Sequence, residues 1–270
     1  MAKIESAFFD LSYLDTLARR DTCVHRLDPR IKVIATALFV CAVVSFPKYA
    51  ISAMLPFVLL LILATGLAEL PATYLAKKLL LVSPFAIMVG IFNPFLDHQP
   101  LLQLGSVAIS GGWVSFCSIL LRFGLTVSAV LLLIASTGFT AVCMAMVKLG
   151  MPRIFAVQLL MLYRYIFVLV DEGVRMQQAR ALRSFQARGM SMKIFSHLVG
   201  QLLLRTLDRA QRIHLAMLCR GFDGTIRIQR TLHLRRYDIL FLVCFCIVLF
   251  FIRYFDLPLL LGRFLTGLQS

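Results

Sequence analysis

The chain has 270 residues, of which 60% are hydrophobic and 15% are charged. A soluble domain of this length could not bury so much apolar surface, so the composition excludes an ordinary soluble protein and predicts a membrane protein. The formal net charge is +15, from 28 Lys and Arg against 13 Asp and Glu, and membrane proteins concentrate such basic residues in their cytoplasmic loops.

The apolar stretches follow a polar segment of 30 residues, in which Asp28-Pro29 predicts a turn or a helix start. A tilted helix needs about 20 residues to cross hydrocarbon. Five stretches are candidates, with the third broken by Pro84 and Pro94: they cover about 31–46, 50–68, 79–95, 113–149 and 239–255. Residues 97–112 form a predicted loop without Lys or Arg. The pattern predicts an all-α polytopic membrane protein with about five transmembrane helices and long cytoplasmic coupling helices.

Basic residues predict the orientation of these helices. They concentrate in the N-terminal segment, beside Lys77 and Lys78, and in residues 171–236, which places the N-terminus in the cytoplasm and the C-terminus outside. Segment 153–170 is apolar, but Arg164 interrupts it and basic residues flank it. We therefore predict that it lies at the cytoplasmic interface or against other helices. Four divisions are predicted. Residues 1–30 form a cytoplasmic N-terminal segment and residues 31–149 form four transmembrane helices. Residues 150–236 form a cytoplasmic or interfacial coupling domain, and residues 237–270 form a last transmembrane helix with its tail.

Residues 171–236 contain thirteen basic and four acidic residues, and so carry nine of the fifteen net positive charges. Ser191 is a candidate cap for a helix that runs to about Cys219. Its apolar residues recur every three or four positions and predict one apolar face: Phe195, Leu198, Val199, Leu202, Thr206, Ala210, Ile213 and Met217. The preceding stretch, 171–187, contains no proline and is also predicted to be helical.

Both predicted helices end in a small residue followed by Arg and Gly. The first tip is Ala187-Arg188-Gly189 and the second tip is Cys219-Arg220-Gly221. Each tip is interpretable as a helix end alone, with glycine in the left-handed conformation and arginine facing the negative end of the helix dipole. The repetition favours a second interpretation, in which each tip places an arginine in a groove of one of two equivalent partner subunits.

Motifs along nearly the whole chain resemble the transmembrane T component of energy-coupling factor (ECF) transporters, in its CbiQ/NikQ branch for cobalt and nickel uptake. The motifs are His25 to Lys32, Phe92 to Asp97, Tyr163-Arg164-Tyr165 with Asp171-Glu172, Arg183-Ser184-Phe185, both tips, and Arg220-Gly221-Phe222-Asp223-Gly224. Family members carry Ala-Arg-Gly at both tips, whereas this chain has Cys219 at the second. A cysteine is small and buries readily, so docking should survive this change.

The resemblance implies a scaffold subunit in the bacterial inner membrane that performs no catalysis. Its implied partners are two CbiO/NikO-like ABC ATPases, a CbiM/NikM-like substrate-binding membrane subunit, and a small auxiliary subunit. ATP and Mg²⁺ would be bound by the ATPases, and this chain itself has no Gly-Lys pair and hence no phosphate-binding P-loop. Its five histidines show no HxH or HxxxH spacing, so we expect no cofactor and no metal ligand here.

Other functions agree less well with the residues. An ordinary ABC permease would show one short coupling loop instead of two long helices, and a T component of a vitamin-type ECF transporter remains an alternative. An intramembrane transferase or protease needs paired acids, a metal motif or a Ser/His set, yet the five predicted spans contain no acid. A nucleic-acid-binding anchor needs exposed aromatics for base stacking, and residues 171–236 contain few, so no nucleic acid is expected as a partner.

Overall fold

The computed structural model describes residues 16–18, 20, 22, 24–47, 49, 51–93, 100–104, 107–183, 192–224 and 234–254. Helices dominate this part of the chain, which confirms the all-α prediction. The elements are α1 Pro29–Val44, a 3₁₀ turn Ser52–Met54, α2 Leu55–Leu67, α3 Ala72–Gly90, β1 Pro100–Leu104, β2 Val107–Ser110, α4 Gly111–Thr137, α5 Phe139–Lys148, α6 Arg153–Arg183, α7 Met192–Cys219 and α8 Arg236–Tyr254.

Four of these helices, α3, α4, α6 and α8, are long and apolar enough to cross a membrane. Two others, α5 and α2 with its preceding 3₁₀ turn, are apolar but shorter. The chain is therefore a polytopic helical membrane protein. Helix α6 contains the segment 153–170 and has the length and composition of a span, while the interfacial position of that segment stays a prediction.

Three helix boundaries differ from the prediction. Helix α3 continues through Pro84, because a proline in a membrane helix costs only local hydrogen bonds that neighbouring groups can replace. The apolar stretch 113–149 is two helices, α4 and α5, separated by Gly138 with φ +82°, a conformation that glycine adopts without steric cost. Helix α6 has 31 residues and is about 46 Å long, so no boundary exists at Asp171.

The predicted loop 97–112 contains a β-hairpin. Strands β1 and β2 are antiparallel, with Leu104 opposite Val107, and Gly105-Ser106 lies between them in sequence. A two-residue connection with glycine is a recognised hairpin signal, which the all-helical interpretation of this chain overlooked. Pro94 to Gln99 lie outside the described residues.

The described residues form two compact units. One contains the described parts of 143–231, and the other, the transmembrane unit, contains those of 14–142 and 232–270. The core of the transmembrane unit centres on Phe57, which is fully buried and meets the rings of Phe39 and Phe46 edge-on at 5.6 and 5.4 Å. Leu125 of α4 and Leu249 of α8 complete this cluster. Four helices therefore share one apolar core.

A polar cluster joins α1, α4 and α8 at one end of the transmembrane unit. Asp28 begins α1 as its N-cap and accepts a hydrogen bond from the Arg30 amide at 2.9 Å, with proline in the next position, which confirms the predicted helix start. The buried carboxylate of Asp238 accepts from the amides of Asp28 at 3.3 Å and Arg235 at 2.9 Å. The buried ammonium of Lys32 donates to the Ser136 carbonyl at 3.0 Å.

His25 belongs to the same cluster. Its Nε2 lies 3.1 Å from the Leu17 carbonyl and its Nδ1 lies 2.7 Å from the Thr22 hydroxyl. A carbonyl only accepts, so Nε2 carries the proton and Nδ1 accepts from Thr22. Burial lowers the pKa of His25, and the neighbouring positive charges of Lys32 and Arg20 lower it further. Burial of the ring and repulsion from these two cations both oppose protonation of the imidazole.

Candidate coupling site

Helices α6 and α7 contact each other, and α7 is partly covered along its predicted apolar face. The half-buried positions of α7 are those of this face: Leu198, Leu202, Thr206, Ile213 and Met217. No residue of α7 is fully buried. Five of the eight residues of the predicted apolar face are therefore partly covered, whereas Phe195, Val199 and Ala210 are exposed like the rest of the helix surface.

One ion pair connects the two helices. Nη1 of Arg205 on α7 lies 2.5 Å from Oε1 of Glu172 on α6. The Arg205 side chain is 58% exposed, and an exposed pair of this kind contributes about 0–1 kcal/mol. The pair is one polar contact between α6 and α7 at the level of Glu172.

The second tip has a fixed backbone. Helix α7 ends at Cys219, and Gly221 has φ +74°. The amide of Phe222 donates to the Met217 carbonyl at 3.0 Å, and that of Gly221 donates to the Leu218 carbonyl at 3.0 Å. These two bonds are a Schellman motif, so the structure confirms the predicted left-handed glycine cap.

Arg220 occupies the turn between the end of α7 and Gly221. Its side chain is exposed, and within the described part of the chain it forms no ion pair. Cys219 is also exposed. A rigid turn therefore presents one guanidinium group outward, which suits recognition of an acidic or carbonyl-lined groove. The first tip, Ala187, Arg188 and Gly189, lies outside the described residues, so its docking role stays a prediction.

A second apolar face on α7 was not predicted. Four leucines spaced three or eight residues apart lie on the side opposite the half-buried face, and they are 50–62% exposed: Leu204, Leu207, Leu215 and Leu218. Large apolar side chains exposed on one side of a helix indicate a surface that binds another protein or a membrane. The signal was present in the sequence, since their spacing is helical, but one apolar face had already been assigned to this helix.

Two arginines interrupt the apolar stretches, Arg122 in α4 and Arg164 in α6. Arg122 donates from Nη2 to the Pro47 carbonyl at 2.6 Å, so its partner is a backbone oxygen. Arg164 is exposed on α6 and forms no ion pair among the described residues, whereas Glu172 pairs with Arg205. Across the described ranges no cluster of three or more His, Cys, Asp or Glu is arranged to hold a metal ion.

Comparison with known proteins connects these features to a family. The model of the family described as "CbiQ: Cobalt transport protein" matches residues 20–234. The Bacillus subtilis energy-coupling factor transporter transmembrane protein EcfT is 27% identical over 216 residues, which cover 74% of this chain and 81% of EcfT.

Two archaeal proteins are also similar. Uncharacterized protein MJ1571 of Methanocaldococcus jannaschii is 26% identical over 254 residues, covering 90% of this chain and 86% of its own. The putative fused cobalt transport protein CbiMQ of Methanocorpusculum labreanum is 26% identical over 141 residues, covering 52% of this chain and 22% of the fused protein. The family model spans well over half of the sequence, and the chain therefore belongs to the CbiQ family of cobalt transport proteins, the transmembrane T components of ECF transporters.

Proposed function

We propose that this chain is the coupling scaffold of an ECF-type importer for a divalent transition metal, cobalt first and nickel second. It performs no catalysis and carries no cofactor. Two ABC ATPases bind ATP and Mg²⁺, and a CbiM-like membrane subunit, with a small auxiliary subunit, binds the metal. The match to a protein in which CbiM and CbiQ are fused supports this partner. The complex resides in the bacterial inner membrane, with the N-terminus and the coupling helices in the cytoplasm.

The observation that carries the proposal is the exposed Arg220 on the rigid turn at the end of α7. Each tip docks into one ATPase, with Arg188 in one groove and Arg220 in the other. ATP-driven approach of the ATPases then moves both tips, and α6 and α7 transmit this motion as rigid rods. The exposed leucine face of α7 serves as the contact with the substrate-binding subunit or with lipid near it.

The test is a double variant, Arg188→Ala with Arg220→Ala, expressed with the ATPases and the metal-binding subunit. We expect the variant to reach the membrane at wild-type level, to lose the ATPases on affinity purification, and to lose cobalt uptake. Arg175→Ala is the control: it removes an exposed arginine of α6 that lies outside both tips, and it should retain the ATPases and cobalt uptake. Wild-type uptake and ATPase recovery in the double variant would show that the tips do not couple transport to ATP hydrolysis.

Uptake of Co²⁺, Ni²⁺ and a vitamin substrate, measured in parallel with the same complex, separates the metal importer from a vitamin-type ECF transporter. Accumulation of the metal alone supports the proposal. Accumulation of the vitamin alone supports the alternative T component and leaves the role of the tips unaffected.

A further inference from the structure

Two arginines of the transmembrane unit converge on the turn that follows α1. Nη2 of Arg122, from α4, donates to the Pro47 carbonyl at 2.6 Å. Nη2 of Arg253, from α8, lies 3.3 Å from the Ser45 carbonyl and 3.4 Å from the Ser45 hydroxyl. The Arg253 guanidinium also lies 4.3 Å from the centre of the Phe46 ring. We call Arg122 and Arg253 the arginine pair.

The turn does not neutralise these two charges. Carbonyl and hydroxyl oxygens are neutral acceptors, and each guanidinium has five N–H donors, of which the turn uses few. Neither arginine forms an ion pair with another described residue. Nε of Arg122 is buried and has no acceptor within the described ranges. The arginine pair therefore brings two positive charges and unused donors to the same turn.

The described acids of this unit are at the other end of the helices. Asp28 precedes α1, Glu69 follows α2, and Asp238 lies in the first turn of α8, whereas the turn lies between the end of α1 and the start of α2. Helix α1 alone separates these ends by about 24 Å. At such a distance an opposite charge is a weak partner compared with an anion in direct contact.

The length of α8 relates the arginine pair to the expected level of the lipid headgroups. Helix α8 has 19 residues and is about 28 Å long, close to the hydrocarbon thickness of about 30 Å. Arg253 is in its last turn, so a membrane-spanning α8 places this guanidinium at the level of the headgroups. Arg122 reaches the same turn from α4; Arg253 is exposed and Arg122 is half-buried.

We propose that the arginine pair is a binding site for a phosphate group, supplied by the phosphodiester of a membrane phospholipid. A guanidinium fork matches phosphate oxygens in pairs, and two forks from different helices enclose one phosphate from two directions. The bound lipid lies against α1, α4 and α8 and compensates the charge that the turn leaves uncompensated. The site is independent of the tips and of the transport substrate.

Native mass spectrometry of the purified chain in a neutral detergent tests the site. Three probes are compared: phosphatidylglycerol, diacylglycerol with the same acyl chains but without phosphate, and inorganic phosphate. We expect retained phosphatidylglycerol and no retained diacylglycerol. If inorganic phosphate binds as well as phosphatidylglycerol does, the phosphate site is also supported, and its ligand is then a free phosphate ion instead of a lipid. Equal retention of both lipids contradicts the proposal, because the chains alone would then explain binding.

Variants assign the site to the two residues. Arg253→Gln should weaken phosphatidylglycerol binding about tenfold, as the loss of one charge-assisted contact predicts, and Arg122→Gln with Arg253→Gln should abolish it. Arg164→Gln, at an exposed arginine of α6, should leave binding unchanged. If the folded double variant binds as the wild type does, the arginine pair is not the site.

Two further experiments do not depend on the folding of the double variant. In the wild type, phosphatidylglycerol should protect Arg253, but not Arg164, from modification by phenylglyoxal, and absence of protection overturns the proposal. Asp256 follows Arg253 by three positions in the sequence. If Asp256→Asn created lipid binding that the wild type lacks, the aspartate would be the counter-charge of Arg253, and the proposal would be wrong.

Discussion

Removing the carboxylate of Asp238 is expected to destabilise the transmembrane unit. Asp238 is 4% exposed and accepts hydrogen bonds from the amides of Asp28, at 3.3 Å, and Arg235, at 2.9 Å. In Asp238→Ala both donors lose their acceptor. An unsatisfied buried donor costs about 1–3 kcal/mol, and the longer bond contributes the smaller share, so we expect a total loss of about 2–4 kcal/mol.

Thermal unfolding of the purified protein, followed by circular dichroism in one detergent, measures this loss. For a chain of this size about 1 kcal/mol corresponds to 2–4 °C in Tm, so Asp238→Ala should unfold about 4–16 °C below the wild type. Asp238→Asn keeps one acceptor oxygen and should lose about half as much. Asp171→Ala, at an exposed aspartate of α6, is the matched control and should unfold at the wild-type temperature.

Hydrogen exchange separates this explanation from a general loss of packing. The Asp28 amide should exchange faster in Asp238→Ala than in the wild type, while amides in the middle of α4 should change less. If Asp238→Ala has a Tm within 1 °C of the wild type and unchanged exchange at Asp28, the carboxylate does not hold the two helices together, and the reasoning is refuted.

Two further changes test other local features. Gly221→Ala places a side chain at φ +74°. An added Cβ has open space there, so the variant should lose about 1–2 kcal/mol of stability through backbone strain alone. Gly200→Ala, within α7 and equally unobstructed, should instead raise stability by about 0.5–1 kcal/mol. Both are read from Tm, and equal effects would contradict the Schellman assignment. Because the pKa of His25 lies below its ordinary 6.5 in the folded state, the unfolded chain takes up a proton first as the pH falls, so stability should decrease below about pH 6.5. His25→Gln should remove this dependence of Tm on pH. His214→Gln, on the exposed surface of α7, is the control and should keep the dependence. An unchanged pH profile of Tm in His25→Gln would exclude His25 as the source of the dependence.

Local signals in the sequence predicted the features that depend on neighbouring residues. Asp28-Pro29 starts α1 because the carboxylate caps the helix and proline lacks the amide that would be unpaired there. Gly221 ends α7 because its conformation is left-handed. The half-buried face of α7 follows from helical spacing alone. Each of these depends on fewer than thirty consecutive residues.

Features that join distant residues were not predictable. Asp238 accepts from the amide of Asp28, 210 positions earlier, and Arg122 donates to Pro47 across 75 positions; no pattern in a single sequence pairs them. The continuation of α3 through Pro84 depends on how neighbouring groups replace the hydrogen bonds that proline removes. The exposed leucine face of α7 had a sequence signal, but its meaning depends on knowing which face α6 already covers.

The Asp28–Asp238 contact also has a consequence for the order of biosynthesis. Ribosomes deliver α1 long before α8, and the amide of Asp28 meets its carboxylate acceptor only once residue 238 has been made. Lys32 likewise finds the Ser136 carbonyl only after nearly all of α4 has been made, because Ser136 is its penultimate residue. The groups at the start of α1 therefore reach their final hydrogen-bond partners only after the later helices have been made.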